Sequence, residues 1–464
     1  MIKKITTFLF ATFLFATSYA QENSGEFHGD FDLNMQSYQE DELIRAKAAD
    51  EIILNNAYLN INYTKGNFSA GLRYESYLNA LLDFDDDYKG NGIPFRFATY
   101  SIDGLEITAG NYYEQIGSGL IFRSYENKGL GVDNAMDGFR LKYNPNKGVY
   151  LKGFIGKNRT YFTYAEGIIR GVDAELNLNE IFNLNTKTKV IFGQGFVSRF
   201  QADNNPKFKL PQNVAAYSSR LNIINGRWNY TGEYATKLND PVGSLTEDGN
   251  NYANGSALMS SLSYSKKGFG VVMEMHRVDH MEFRSERAQE KQYIINYIPT
   301  LTKQHTYTLL ALYPAATQSE GEFGYQADVF YKIKKGTLLG GKYGTKINFN
   351  FSRINALNGG NSFLNDNTSH KPMFISIIDE ELYFNDINLE VYKKINKKIK
   401  ATGILARQAY NKDVLEGKTP GTYGIVNSTI AIADISYKIK KVILSVLNYK
   451  NCYQMVVMDL GVWD

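Results

Sequence analysis

Residues 57–77 read AYLNINYTKGNFSAGLRYESY. Leu59, Ile61 and Tyr63 alternate with Asn60 and Asn62. A Lys65-Gly66-Asn67 turn follows, and then Phe68, Ala70, Leu72 and Tyr74 alternate with Ser69, Gly71, Arg73 and Glu75. A strand sends successive side chains to opposite faces, so this is a hairpin with one apolar face and one polar, charged face. The same grammar recurs along most of the chain. A sheet built this way suits lipid on one side and water on the other.

The ends and the composition narrow the class. Residues 1–20, MIKKITTFLFATFLFATSYA, carry a basic start at Lys3 and Lys4, an apolar run from Ile5 to Thr17 and a small-residue site at Ser18-Tyr19-Ala20. That is the layout of a secretory signal peptide cleaved after Ala20. Gln21 rather than Cys follows the cut, so a lipoprotein anchor is not expected. No later run approaches the roughly 18 apolar residues of a membrane-spanning helix. Hydrophobic content is 43%, which suits both a soluble protein and a transmembrane barrel. The 14% aromatic content, with 34 Tyr and 28 Phe, favours strands and interfacial girdles. Nine prolines fit long uninterrupted strands. The single cysteine, Cys452, excludes a disulfide framework and a cysteine metal cluster. A net charge of +3, with dispersed basic residues, gives no reason to expect nucleic acid as a partner.

The strands expected from the pattern are 25–35, 53–64, 67–77, 95–102, 105–113, 136–144, 148–156, 168–179, 187–200, 212–224, 227–238, 255–265 and 268–279. The pattern continues through 289–297, 304–313, 322–333, 336–353, 382–394, 399–410, 425–438 and 441–449. Short Gly- and Asn-rich turns, among them 65–67, 103–104, 225–226, 266–268, 334–336 and 396–398, alternate with long polar connections at 36–52, 78–94, 114–135, 157–167, 239–254, 354–381 and 411–424. Short turns at one rim and long loops at the other is the outer-membrane layout, the short rim periplasmic and the long rim extracellular. The short turns are rich in Lys; acids gather in the long loops, at 40–42, 83–87, 247–248 and 379–381. A propeller or β-helix would show a fixed repeat of about 20–50 residues, and none is present. The expected fold is therefore all-β, a transmembrane antiparallel up-and-down barrel of about 20–22 strands. Residues 21–464 form it as one domain after removal of residues 1–20.

Placing the apolar set toward lipid fixes the other face, because a charge on the lipid side near mid-bilayer costs about 2–4 kcal/mol. The water-facing candidates are then Arg73, Glu75, Arg140, Lys142, Asp173, Glu175, Glu233, Glu274, His276, Asp328 and Glu390. With about twenty strands the interior is too wide for side chains alone to fill it. Water or an inserted loop is expected there. A separate N-terminal plug is not, since the first strand begins a few residues after the cleavage site.

Three stretches hold residue types that can carry chemistry. His276 and His280 in HRVDH share a strand face with Glu274, but that spacing signals zinc on a helix rather than a strand, and a polar interior explains them. Asp83 to Asp87, with Gly90 and Gly92, resembles a calcium loop but has Tyr88 at the invariant glycine position and Pro94 where the bidentate Glu belongs. The segment 116–135 combines four glycines with an apolar triplet at Leu120 to Phe122, and with Arg123 and Glu126. It is either a constriction folded into the interior, with Arg123 and Glu126 lining it, or a short surface hairpin. No G-x-S-x-G is present and no triad is suggested, so no enzyme activity is expected.

The basic leader, the Tyr-rich hairpins and GSGLIFRSYENKGLGVDNAMDGFRLKYNPNKGVYLKGFIGKNR at 117–159 resemble an uncharacterised porin-like outer-membrane barrel family of Bacteroidota. The resemblance implies a barrel in the cell outer membrane, without cofactor, and no catalytic residues. The expected function is passage of hydrophilic solutes through a charged lumen, with outer-membrane lipid and, during insertion, the barrel-assembly machinery as partners. The alternative is a structural or secretion-associated barrel whose loops bind a partner. One departure stands out. The tail NCYQMVVMDLGVWD after Lys450 stops alternating and ends in Trp463-Asp464, so the sequence suggests a chain altered near its end and short of a closing strand.

Overall fold

The computed structural model describes residues 25–438 except 44, 83, 207–208, 241–253, 290–292 and 358–380. The expected leader, the expected strand 441–449 and the tail lie outside the described residues. So do the acids at 247–248 and 379–380. Twenty-two strands are present among the described residues, eighteen of them in one antiparallel sheet. The long strands are β1 (Glu26–Gln36), β2 (Leu54–Lys65), β3 (Phe68–Tyr77), β4 (Gly90–Ile102), β5 (Leu105–Tyr112), β10 (Met136–Tyr143), β11 (Val149–Thr160), β12 (Thr163–Asn177) and β13 (Thr188–Phe200). They continue as β14 (Asn213–Asn225), β15 (Trp228–Lys237), β16 (Gly255–Lys266), β17 (Phe269–Asp279), β18 (Gly321–Ile333), β19 (Thr345–Asn355), β20 (Leu382–Lys394), β21 (Ile399–Asn411) and β22 (Ile425–Tyr437). The two-residue strands β6 to β9 pair off separately, Gln115–Ile116 with Phe122–Arg123 and Glu126–Asn127 with Val132–Asp133.

The chain divides into two compact units. One holds residues up to Glu114, with Ser124–Pro145 and Leu151–Arg170; the other holds Gln115–Arg123, Asn146–Tyr150 and the chain from Gly171 onward. Within the first, β1 to β5 pair in sequence, β5 pairs with β10 and β10 with β11. Within the second, β13 to β22 pair each with the next. This is the up-and-down antiparallel order that the alternating hairpins imply. The opening hairpin is in the expected register, with Leu59 opposite Tyr74 and Lys65 opposite Phe68, and Gly66 carries φ +55° at its turn.

Burial in these strands is inverted relative to a soluble sheet. Apolar residues are buried on these strands too, Tyr58, Ile169, Val197 and Phe384 among them, but many of the buried positions are polar or charged: Arg73 and Glu75 in β3, Asp173 in β12, Glu233 in β15, His276 in β17, Asp386 and Asn388 in β20. Their neighbours on the opposite face are apolar and exposed: Tyr74, Val172 (55% exposed), Tyr234, Met273, Ile387 and Leu389. On β21 and β22, Ile404, Ala406, Ile430 and Ile432 form one apolar patch on the buried face, while Leu405 (59% exposed) and Ile435 point outward.

Three expectations need correction. The sheet has eighteen strands among the described residues: of the twenty-one expected, 441–449 lies outside them, and the described residues of 289–297 and 304–313 form no strand. They belong to one long connection between β17 and β18, which carries an isolated bridge at Arg284–Ile294 and one 3-10 turn at Thr308–Ala311. The strand expected at 336–353 starts only at Thr345, after a Gly-rich turn in which Gly336, Gly341 and Gly344 have positive φ. The long connection expected at 157–167 is instead a two-residue turn between β11 and β12, with Tyr161 in the left-handed region at φ +55°.

Candidate functional site on the polar face

In the first unit the polar face carries a closed ionic network. Arg73 Nε donates to Glu75 Oε1 at 2.6 Å and its Nη1 to Glu126 Oε1 at 2.8 Å, while Nη2 reaches Asp133 Oδ2. Arg159, 1% exposed, donates Nη1 to Asp133 Oδ2 at 2.5 Å and Nη2 to Glu75 Oε2 at 2.5 Å. Tyr77 and Tyr113 hydroxyls donate to Glu75 and Asp133. Tyr58, Tyr77, Tyr88 and Tyr161 form a buried aromatic cluster beside it, which excludes water from the ion pairs. Burial raises the Glu126 carboxyl above its ordinary value, against the pull of Arg73, and the nearby Asp133 and Glu75 carboxylates add to the rise. Arg140 and Lys142 belong to a second, wetter group: Arg140 Nη2 donates to Glu106 at 2.8 Å, Lys142 lies 3.4 Å from the same carboxylate, and Lys152 bonds Glu114 at 3.0 Å.

The glycine-rich segment after β5 packs on the polar face rather than forming a surface hairpin. Residues 116–123 lie within the second unit. Ile116, Leu120, Ile121 and Phe122 are fully buried there. A side chain cannot occupy their bed: a Cβ on Gly195 of β13 would come within 2.4 Å of Ile116 Cγ2 and 3.2 Å of Ile121 Cδ1. Glycine inside a strand marks such a close approach. Ser118 donates both its backbone N–H and its hydroxyl to Glu233 Oε2, at 2.8 and 2.6 Å. Backbone bonds from Arg123 to Ile295 and from Tyr297 to Gly119 hold the segment from above, and the Arg123 guanidinium stacks 4.2 Å from the Tyr297 ring. Residues 124–135 lie in the first unit, where Glu126 and Asp133 enter the Arg73–Arg159 network.

The connection after β17, described at 280–289 and 293–320, is the second covering segment. Lys303 donates to Asn388 at 3.0 Å and to Glu390 at 3.3 Å. His305 Nε2 meets Asp386 Oδ2 at 2.6 Å, and the Tyr307 hydroxyl donates to Asp434 at 2.8 Å. Leu310 then caps the apolar patch of Ile404, Ala406, Ile430 and Ile432. Three alternate residues thus tie an extended strap to acids on β20 and β22.

A cavity of about 460 Å³ remains between these segments and the strands. Ser118 and Leu301 from the two coverings, and Glu175, Arg220, Glu233 and Glu274 from the strands, contribute to its wall. Arg220 spends its charge on Asp173, Nη2 to Oδ1 at 2.6 Å.

The sequence candidates therefore fall into separate groups. Arg73, Glu75 and Glu126 meet each other; Arg140 and Lys142 share Glu106; Asp173 pairs with Arg220; Glu175, Glu233 and Glu274 share the cavity. Asp328 accepts from Gln326 and Asn350, and Glu390 from Lys303. His276 lies fully buried, 2.6 Å from Glu322, whereas His280 turns away at φ +48° to Asp279 and Glu320, so the two histidines do not converge. Sequence reading missed Arg159, Asp133, Arg220, Ser118, Lys303 and His305. Arg159 sits in GKNRT, where the end of a strand reads as loop, and Lys303 and His305 sit in a segment whose alternation imitates a strand.

No curated protein matches the chain. Among solved structures it is similar to a BenF-like porin from Pseudomonas fluorescens Pf-5, with 10% identity, 93% of this chain and 98% of that chain covered and a TM-score of 0.38. It is also similar to OpdK of Pseudomonas aeruginosa crystallised with vanillate, at 11% identity, 88% and 92% coverage and a TM-score of 0.37. The outer membrane protein OprD from Pseudomonas aeruginosa aligns at 10% identity over 89% of this chain and 87% of that chain, with a TM-score of 0.38. Scores this low carry no argument, and the fold stands on the strand pairing itself. At the level of sequence the assignment is direct: a family model described as "Family of unknown function (DUF6029)" matches residues 1–448, and the chain belongs to that family.

Proposed function

We propose that this protein is an integral outer-membrane β-barrel of a Bacteroidota cell, in which the polar face lines a passage for hydrophilic solutes. The inverted burial carries the reading. Leaving a Leu or Phe side chain in water forgoes about 1.5–3 kcal/mol, and the strands do so at position after position while covering carboxylates and guanidinium groups. Lipid against the apolar face removes that penalty. The candidates Glu175, Glu274, Asp328 and Glu390 then border the passage in the second unit, and Arg140 and Lys142 lie on the polar face of the first. Segment 116–123 and the connection after β17 narrow it, and Arg123 lies in the narrowing. Arg73, Glu75 and Glu126 serve instead as ionic supports of the wall, and His276 as a buried neighbour of Glu322.

Ion current tests this. The full chain reconstituted in planar bilayers is expected to give stepwise conductance, and detergent-folded protein is expected to migrate differently in SDS gels before and after boiling. Absence of current through a barrel that shows the gel shift would overturn passage and favour a barrel that anchors loops for a partner.

A further inference from the structure

We infer that the cavity between the strap and the strands is a binding point for the cationic group of a hydrophilic solute, an amine or guanidinium. The inference deepens the proposed function and rests on the polar face being a solute passage. Four titratable side chains line the cavity, and three are carboxylates: Glu175 on β12, Glu233 on β15 and Glu274 on β17. The one cation, Arg220, is bonded to Asp173 behind it. Neither Glu175 nor Glu274 has an ion-pair partner among the described residues, and Glu175 is exposed. The wall is therefore acidic in net terms, with its positive charge already spent.

Glu233 gives the independent indication. It is only 6% exposed, yet both donors it receives come from one neutral residue, Ser118, and both go to Oε2. Its Oε1 has no hydrogen-bond partner among the described residues. An ionised carboxylate with an unmet oxygen is poorly placed in a buried site, and a positively charged donor is the partner that restores the balance. Ser118 adds a hydroxyl next to this carboxylate, and Thr231, Ser260 and Ser261 supply further hydroxyls to the wall. The apolar remainder, Ile191, Leu221, Met259 and Leu301, suits the methylene stem that carries an amine or guanidinium. A solute of this kind presents charge, hydrogen-bond donors and a short aliphatic chain together. A small inorganic cation would use the carboxylates but leave the apolar wall uncovered.

Reversal potential under a KCl gradient and calorimetric titration with L-arginine and L-glutamate test the assignment together. Wild-type protein is expected to pass K⁺ over Cl⁻ by about fivefold or more, the scale of one unit charge at contact distance in water. It is expected to bind L-arginine and not L-glutamate. The variant with Glu175→Gln, Glu233→Gln and Glu274→Gln together should lose both preferences. Glu274→Gln alone should weaken them while leaving the Ser118–Glu233 contact in place, and Arg220→Gln, which frees Asp173, should strengthen the preference for K⁺. The gel shift on boiling checks that each variant is folded. Anion-selective current, or cation preference unchanged in the folded triple variant, would overturn the inference and leave passage standing. Arginine binding without current would support the site and overturn passage. Neither binding nor current would overturn both.

Discussion

His305 Nε2 lies 2.6 Å from Asp386 Oδ2, and both side chains are almost closed off from solvent. Asp386 also accepts from Asn388 and Gln408, so the carboxylate is fixed before the strap reaches it. A pre-oriented acceptor loses little freedom when the partner docks, which makes this contact the firmest of the three ties at residues 303, 305 and 307.

Asp386→Asn should therefore loosen the strap without unfolding the sheet. Loss of a buried charge-assisted bond costs about 1.5–3 kcal/mol. The expected result is faster protease cleavage within 298–312, and larger or noisier single-channel current, with the boiling gel shift retained. Cleavage at the wild-type rate would show that Leu310 and its apolar patch hold the strap by themselves.

The Arg73–Arg159 network predicts a larger effect on stability. Glu75 is fully buried and bonded to both guanidinium groups. Removing one partner from such a cluster leaves an uncompensated buried charge and costs about 3–5 kcal/mol. Arg159→Met should lower folding stability by about that amount in denaturant titrations. Arg159→Met with Glu75→Gln should cost less than the sum of the single changes, because the second substitution removes the charge the first left unpaired.

Gly195 predicts a change of conductance with little change in the strand itself. Gly195→Val keeps β13 apolar and branched, which suits a strand, but its side chain would occupy the space of Ile116 and Ile121. The segment 116–121 is expected to lift from its bed and unit conductance to rise. An unaltered current in a folded Gly195→Val variant would show that the segment does not limit the passage.

The loop after β21 predicts a pH dependence. Asp413 Oδ1 accepts from the Tyr423 N–H at 2.8 Å, and Oδ2 from the Gly421 and Gly424 N–H groups at 2.8 and 3.0 Å. Burial acts to raise its carboxyl, but these backbone donors outweigh it and hold it below the ordinary value. A depressed carboxylate stabilises its fold above the ordinary carboxyl range and loses that contribution as pH falls through the depressed value. Amide protection in 417–424, taken against the intrinsic exchange rate at each pH, should be high at neutral pH and fall on acidification. Asp413→Asn should show low protection at both, and wild-type protection insensitive to acid would refute the assignment.

A lipid-facing charge offers the last check. Leu389→Arg should cost about 2–4 kcal/mol if the strand centre lies near mid-bilayer, falling toward zero near an interface. Folding titrations into vesicles measure it, and a neutral Leu389→Arg would exclude a mid-bilayer position for that residue.

Most of the strands, their order and which side of each is apolar are legible in the sequence, because period-two alternation is local and most short hairpin turns carry a glycine or asparagine; the Tyr161-Phe162 turn carries neither and reads as part of a loop. The sequence set Leu59 and Tyr74 against Arg73 and Glu75 with no knowledge of the rest of the chain. It could not tell an extended strap from a strand. Lys303, His305 and Tyr307 alternate as a strand does, and Tyr307 has extended backbone angles, but their partners are side chains on β20 and β22 rather than a neighbouring backbone. Extended chain has the same two-residue period whether or not a ladder forms. The tertiary structure alone decided that difference, and with it the strand count. It also decided which charges meet: Glu75 and Arg159 are 84 residues apart and Ser118 and Glu233 are 115 apart, distances over which no sequence pattern operates. The opening hairpin thus fixed the two faces, while the packing of two long connections decided what occupies the polar one.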